Sequence, residues 1–132
     1  MYKDLAGNTL AQAYDFGSPK TAQVENQVKT AFVGTSDPID LYRFTLTRAS
    51  SISLSLRNQN QGNADLQLLS QTGKTLFSAQ KGSRQRDTIK AEMSEGTYYI
   101  QVFPRKGDVT YRLVLAIAQK FSPGAIAVNI TQ

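Results

Sequence analysis

Asp37 and Asp40 flank Pro38 and Ile39 where a turn cluster, TSDPID, runs into an apolar stretch. Two carboxylates at that spacing can converge on one hard cation, and Ca²⁺ is the ion that takes oxygen ligands of this kind. The same residues can equally cap the turn by accepting bonds from nearby backbone N–H groups. A second group is Tyr99 and Phe103, which share one face of an alternating stretch with Gln101 between them, followed by Arg105 and Lys106. Rings rimmed by cations make an amphipathic patch that can anchor a partner. The alternative is that this face lies under a loop or the chain's own tail. Asp65, after Gly62-Asn63, suits a structural role at a strand edge. Asp87, Glu92 and Glu95 are dispersed, and no carboxylate pair is placed for general acid–base work.

The composition closes off much other chemistry. The 132 residues contain neither Cys nor His. A thiol nucleophile, a thiolate or imidazole metal site and a Ser-His-Asp triad are therefore impossible. Catalysis is not expected, and no cofactor is implied beyond the Ca²⁺ that Asp37 and Asp40 suggest. The net charge is +5 and the pI is near 9.6, which suits an acidic partner or surface. The cations are scattered rather than clustered around the aromatics, so nucleic-acid binding is not expected. No apolar run approaches the ~20 residues that span a bilayer. The first residues, MYKDLAGNTLAQAYDF, lack the apolar core of a signal peptide.

These residues must be positioned by strands. Tyr42, Phe44 and Leu46 alternate with Arg43, Thr45 and Thr47 in a strand over 39–47, and Ile52, Leu54 and Leu56 alternate with Ser51, Ser53 and Ser55. Shorter strands are predicted over 64–69, 75–79 and 86–93, with a weaker one over 24–33. Residues 11–16 suit either a short strand or a turn of helix. The longest run, 95–116, reads as a hairpin: Tyr98, Ile100 and Val102 share one face, Tyr111, Leu113 and Leu115 another, with turn chemistry between them. About seven to nine short strands and no convincing helix predict an all-β antiparallel sandwich or barrel. The in-phase apolar positions, including Leu66, Leu68 and Ile89, are the expected core.

Three blocks, SDPIDLYRFTLTRASSISLSL, ADLQLLSQTGKTL and EGTYYIQVFPRKGDVTYRLVL, resemble in order and spacing the bacterial pre-peptidase C-terminal domain. The earlier AGNTLAQAYDFG resembles that family's N-terminal segment, so the resemblance covers roughly residues 6–118. It implies a jelly-roll-like antiparallel β-sandwich that is non-catalytic and sits beside secreted peptidases and other exported proteins. Relatives that bind calcium use a D-x-x-D pair with ligands from an E-P-N-D-like segment. Here that segment reads Ala6-Gly7-Asn8-Thr9, so Asn8 joins Asp37 and Asp40 while the Glu and Asp are missing. Tight Ca²⁺ binding is not expected from so few charged oxygens.

Two functions follow as expectations: a non-catalytic accessory module that binds a protein or polymeric surface, and a stand-alone structural or linker subunit that docks acidic partners. The family is mostly secreted or periplasmic; with Met1 native and no leader, the chain would be cytoplasmic. The domain is expected over 1–118. Residues 119–132 form a tail in which Ile126, Val128 and Ile130 share a face, suited to an extra strand or an interaction arm.

Overall fold

The computed structural model describes residues 7, 9–19, 25–33, 39–58, 63–79, 87–106 and 109–120, with the side chains of 25–30, 32, 63, 105 and 106 outside that description. Among the described residues nine strands follow a short 3₁₀ turn, Leu10–Gln12: β1 Tyr14–Gly17, β2 Glu25–Val33, β3 Asp40–Leu46, β4 Ser50–Asn58, β5 Asn63–Leu69, β6 Thr75–Ala79, β7 Asp87–Met93, β8 Gly96–Lys106 and β9 Val109–Gln119. They form a five-stranded sheet in the order β1-β3-β8-β5-β6 and a four-stranded sheet in the order β2-β9-β4-β7. The expected all-β sandwich is thus the fold. Residues 11–16 split between the 3₁₀ turn and β1.

Each inner face is built by period-two alternation. Along β4, Ser50, Ile52, Leu54, Leu56 and Asn58 are buried while the residues between them are not. Tyr42, Phe44, Leu66, Leu68, Ile100, Val102, Tyr111, Leu113 and Leu115 are also buried between the sheets. Each such large side chain withdrawn from water contributes about 1.5–3 kcal/mol, which is what lets a chain without disulfides close a core. Tyr98, expected inside, is only partly buried: it packs on the rim of the core with its ring 5.7 Å from Phe44 and its hydroxyl donating to the Ser94 carbonyl at 2.9 Å. Asn58 ties the sheets together at the step from β4 to β5, its Oδ1 accepting from the Ala64 N–H at 3.1 Å.

Two expectations are corrected. The 95–116 stretch is not a hairpin, because β8 and β9 belong to different sheets. Both strands carry an apolar row that must reach the core, and two such rows can lie side by side or face each other; alternation does not distinguish the two. Nor is the sandwich wholly antiparallel: β1 pairs with β3 in parallel. The chain leaves β1 for β2 in the other sheet and then returns to β3, so β1 and β3 run the same way. The remaining strand pairs are antiparallel.

The outward side of the five-stranded sheet is partly covered. Leu41 and Leu69 sit on outward register positions yet are 5% and 3% exposed. The Leu41 N–H donates to the Gly7 carbonyl at 3.0 Å. Leu10 Cδ1 lies 3.3 Å from where a side chain would begin on Gly73, in the β5–β6 turn. Gly73 has φ +91 there, a conformation glycine adopts at little cost.

Candidate binding site

The outward face of the four-stranded sheet is the more open one. Pairing of β4 with β7 and β9 lines up two rows across three strands: Lys90, Ser53 and Ala116 in one, Glu92, Ser51 and Ala118 in the next. Small side chains in adjacent rows leave a trough of about 430 Å³ lined by Ser51, Ile52, Ser53, Lys90, Ala91, Glu92, Ala116 and Ala118. Its polar groups are partly fixed. Ser51 Oγ donates to Glu92 Oε2 at 2.7 Å, and Lys120 Nζ forms an ion pair with the same carboxylate. Those two contacts hold the Glu92 carboxyl below its ordinary range. Lys90 borders the trough on the exposed side of β7. Hydroxyls, a cation and an apolar alanine floor together make a surface that can accept both the polar backbone and the small side chains of an extended chain.

Further along the same face Arg57 of β4 lies directly opposite Arg112 of β9. A smaller cavity, about 140 Å³, is lined by these two arginines with Ser55 and Val114.

Of the described residues singled out from the sequence, Asp40 lies on the inward face of β3, and Tyr99 and Phe103 lie on the outward side of β8. Asp40 is fully buried in the core. Its Oδ2 accepts from the Tyr111 hydroxyl at 2.5 Å, and that hydroxyl stands 2.5 Å from the hydroxyl of Tyr42. Burial pushes the Tyr111 hydroxyl well above its usual 10.0, with the neighbouring Tyr42 and Asp40 adding to the effect. Asp37 and Asn8 lie outside the described residues. Among the described residues no group of three or more carboxylates converges. Asp40 Oδ2 is thus engaged with the Tyr111 hydroxyl inside the protein.

Tyr99 and Phe103 are half-buried on the outward side of β8. Tyr99 joins a ladder with Arg43 and Asp15, whose residues stand opposite one another across β8, β3 and β1. Arg43 Nη2 meets Asp15 Oδ2 at 2.9 Å, and bonds with Asp15 and then Tyr99 raise its pKa. Burial pushes the Asp15 carboxyl up, but the bonds from Arg43 and from the Gly17 N–H outweigh it and hold the group below its usual value. The side chains of Arg105 and Lys106 lie outside the described residues, as does the tail's apolar row.

Asp65 and Asp87 are buried too. Asp87 falls in phase with Ile89 and Met93, a signal the sequence carried; the burial of Asp65 on an outward position has no local signal. The trough was not read from the sequence, because Ser51, Ser53 and Ser55 pass for an ordinary solvated face until register sets them beside Ala116 and Ala118.

A model of the bacterial pre-peptidase C-terminal domain matches residues 38–104, which is 67 of the 132 residues. No curated protein matches the chain significantly. Among solved structures, the pre-peptidase C-terminal domain of a Bacillus anthracis collagenase superposes with a TM-score of 0.64 at 20% identity, covering 77% of this chain and 92% of that one. PliG of Salmonella Typhimurium, a periplasmic inhibitor of g-type lysozyme, gives 0.48 at 13% identity over 80% and 98%. The Yersinia pseudotuberculosis-derived mitogen gives 0.48 at 14% over 74% and 89%. The collagenase domain is similar in fold. With the family pattern running from the strand pair β3–β4 through β8, and the same sandwich in a named member, the chain belongs to the bacterial pre-peptidase C-terminal domain family.

Proposed function

We propose that this accessory β-sandwich is a binding module that lays an extended segment of a protein partner along the trough on its four-stranded sheet. The observation that carries the reading is the register of Ser51 and Ser53 with Ala116 and Ala118, which opens about 430 Å³ on an otherwise regular sheet face. The family's domains are non-catalytic accessory modules, and a role in holding rather than transforming a ligand agrees with a chain that has no Cys or His. Gelatin peptides are a suitable first probe: they are rich in extended polyproline-type segments, and the similar domain from Bacillus anthracis is part of a collagenase. Titrated into the ¹⁵N-labelled chain, they should shift the amides of Ser51, Ser53, Lys90, Ala116 and Ala118. Ser53→Tyr, which fills the trough, should abolish those shifts. Shifts confined to Tyr99, Phe103, Arg105 and Lys106 would place the site on the other sheet.

Docking of an acidic partner as a structural or linker subunit is the second reading. The net charge of +5 and the facing arginines of β4 and β9 favour it. Binding that falls steeply with ionic strength would identify it, since exposed charges are screened within about 10 Å at 0.1 M salt.

A further inference from the structure

We infer that Arg57 and Arg112 form a carboxylate-binding subsite, and that the segment held on this sheet face is therefore an acidic polypeptide. The inference rests on the reading of that face as a binding surface and adds the chemistry of what it selects.

The argument starts from the pairing. Arg57 and Arg112 are direct partners on adjacent antiparallel strands. Residues so placed point to the same face with Cβ atoms roughly 4.5–5.5 Å apart, and like charges there destabilise the sheet. Both side chains are exposed. Among the described residues, no ion pair or side-chain hydrogen bond involves either guanidinium, whereas Arg43 and Lys120 each have an acidic partner. The row beside the arginines places Ser55 of β4 opposite Val114 of β9. These four residues line the cavity of about 140 Å³, so space for a small group lies beside the two cations. A guanidinium presents a planar fork of donors that matches a carboxylate bidentately. Two forks with a serine hydroxyl beside them can surround both carboxylate oxygens. An anion so bound turns the repulsion of the empty pair into attraction. Along the same face, rows of Ser55 and Val114, then Ser53 and Ala116, lead from the arginines to the trough. A chain anchored by one acidic side chain at the arginines has a continuous path of small residues ahead of it.

Carboxylates of an acidic peptide and sulfates of a polysaccharide share the oxyanion chemistry. The trough, with its hydroxyls and alanine floor, favours the peptide. The test uses the full chain with an acetylated octaglutamate peptide and, in parallel, a heparin octasaccharide, both followed by calorimetry at low salt. Wild type should bind octaglutamate, and R57Q/R112Q should weaken it at least tenfold. R48Q/K74Q removes the same charge from exposed sites elsewhere and should weaken it less than twofold. R57K/R112K keeps the charge but loses the forks, and should lose most of the affinity. Circular dichroism melts of each variant without ligand should match wild type, which separates lost binding from lost fold; if R57Q/R112Q melts early, the single R112Q carries the same expectation.

Equal losses in the two neutralising variants would reduce the effect to net charge and overturn the subsite. Undiminished binding by R57K/R112K would overturn the bidentate geometry. Arginine-dependent binding of heparin without binding of octaglutamate would overturn the acidic-peptide assignment. Octaglutamate binding that survives Ser53→Tyr but not R57Q/R112Q would uphold the subsite while removing the trough from the proposed function.

Discussion

The hydroxyl of Tyr42 stands 2.5 Å from the hydroxyl of Tyr111, across the interior between the two sheets, although the residues are 69 positions apart in the chain. Tyr111 also donates to Asp40, so β3 and β9 are joined by a polar contact between the two sheets. Buried polar groups cost most when a partner is taken away. Tyr111→Phe keeps the ring and removes the hydroxyl that meets both groups. It should lower stability by about 1–3 kcal/mol, read as a reduced urea midpoint with an unchanged slope.

The same hydroxyl sets an alkaline limit. Its folded pKa is raised well above 10.0 by burial, while in the unfolded chain it titrates at the ordinary value. The stabilisation is therefore complete below pH 10 and is lost as pH rises toward the folded value. Melting temperature should fall above pH 10 in wild type and fall less steeply in Tyr111→Phe. Parallel curves for the two proteins would show that other groups set the limit.

Leu113 is fully buried on β9, opposite Leu56 of β4. Leu113→Ala should cost about 2–5 kcal/mol, the lost transfer energy together with the cavity left behind. A loss below about 0.5 kcal/mol, which is typical of surface substitutions, would contradict its place in the core.

Gly7 is closely approached by Gln12: a side chain at Gly7 would begin 2.3 Å from Gln12 Cβ and 2.5 Å from its carbonyl oxygen. Gly7→Ala should force the N-terminal turn away from β3 at a cost of about 1–3 kcal/mol, the usual penalty for overpacking. Hydrogen exchange at the Leu41 amide, which donates to Gly7, should speed up with it.

Calcium titration is expected to give no micromolar binding by calorimetry, because Asp40 is enclosed with tyrosine hydroxyls. Micromolar affinity that disappears in Asp40→Ala would restore a calcium role to the segment around Asp37.

The strands and their inner faces were legible because burial imposes a period of two, and Tyr42, Phe44, Leu54, Leu113 and Leu115 obey it. Asp40 and Asp87 obey it as well, and only their charge hid them from the list of core positions. What the sequence could not express is which strand lies beside which. Ser53 carries no mark that Ala116 and Lys90 will flank it, and Arg57 none that Arg112 will face it. Register of this kind is decided by the whole sheet. The same reasoning explains the mistaken hairpin: β8 and β9 are neighbours in sequence and have matching alternation, yet they serve opposite sides of the core.

The position of β9 has a consequence for how the molecule comes into being. It is the last strand described, but it lies between β2 and β4 and pairs with both along most of its length. Until residues 109–119 are delivered, β2 has no neighbour in its sheet, and β4 and β7 form only a two-strand ribbon, too little to stand alone in water. A chain fed out N-terminus first, by a ribosome or through a translocation pore, therefore stays open until its late segment arrives. Closure then requires pairings between strands far apart in sequence, the kind that makes folding slow. Folding of this domain is an event timed by emergence of β9.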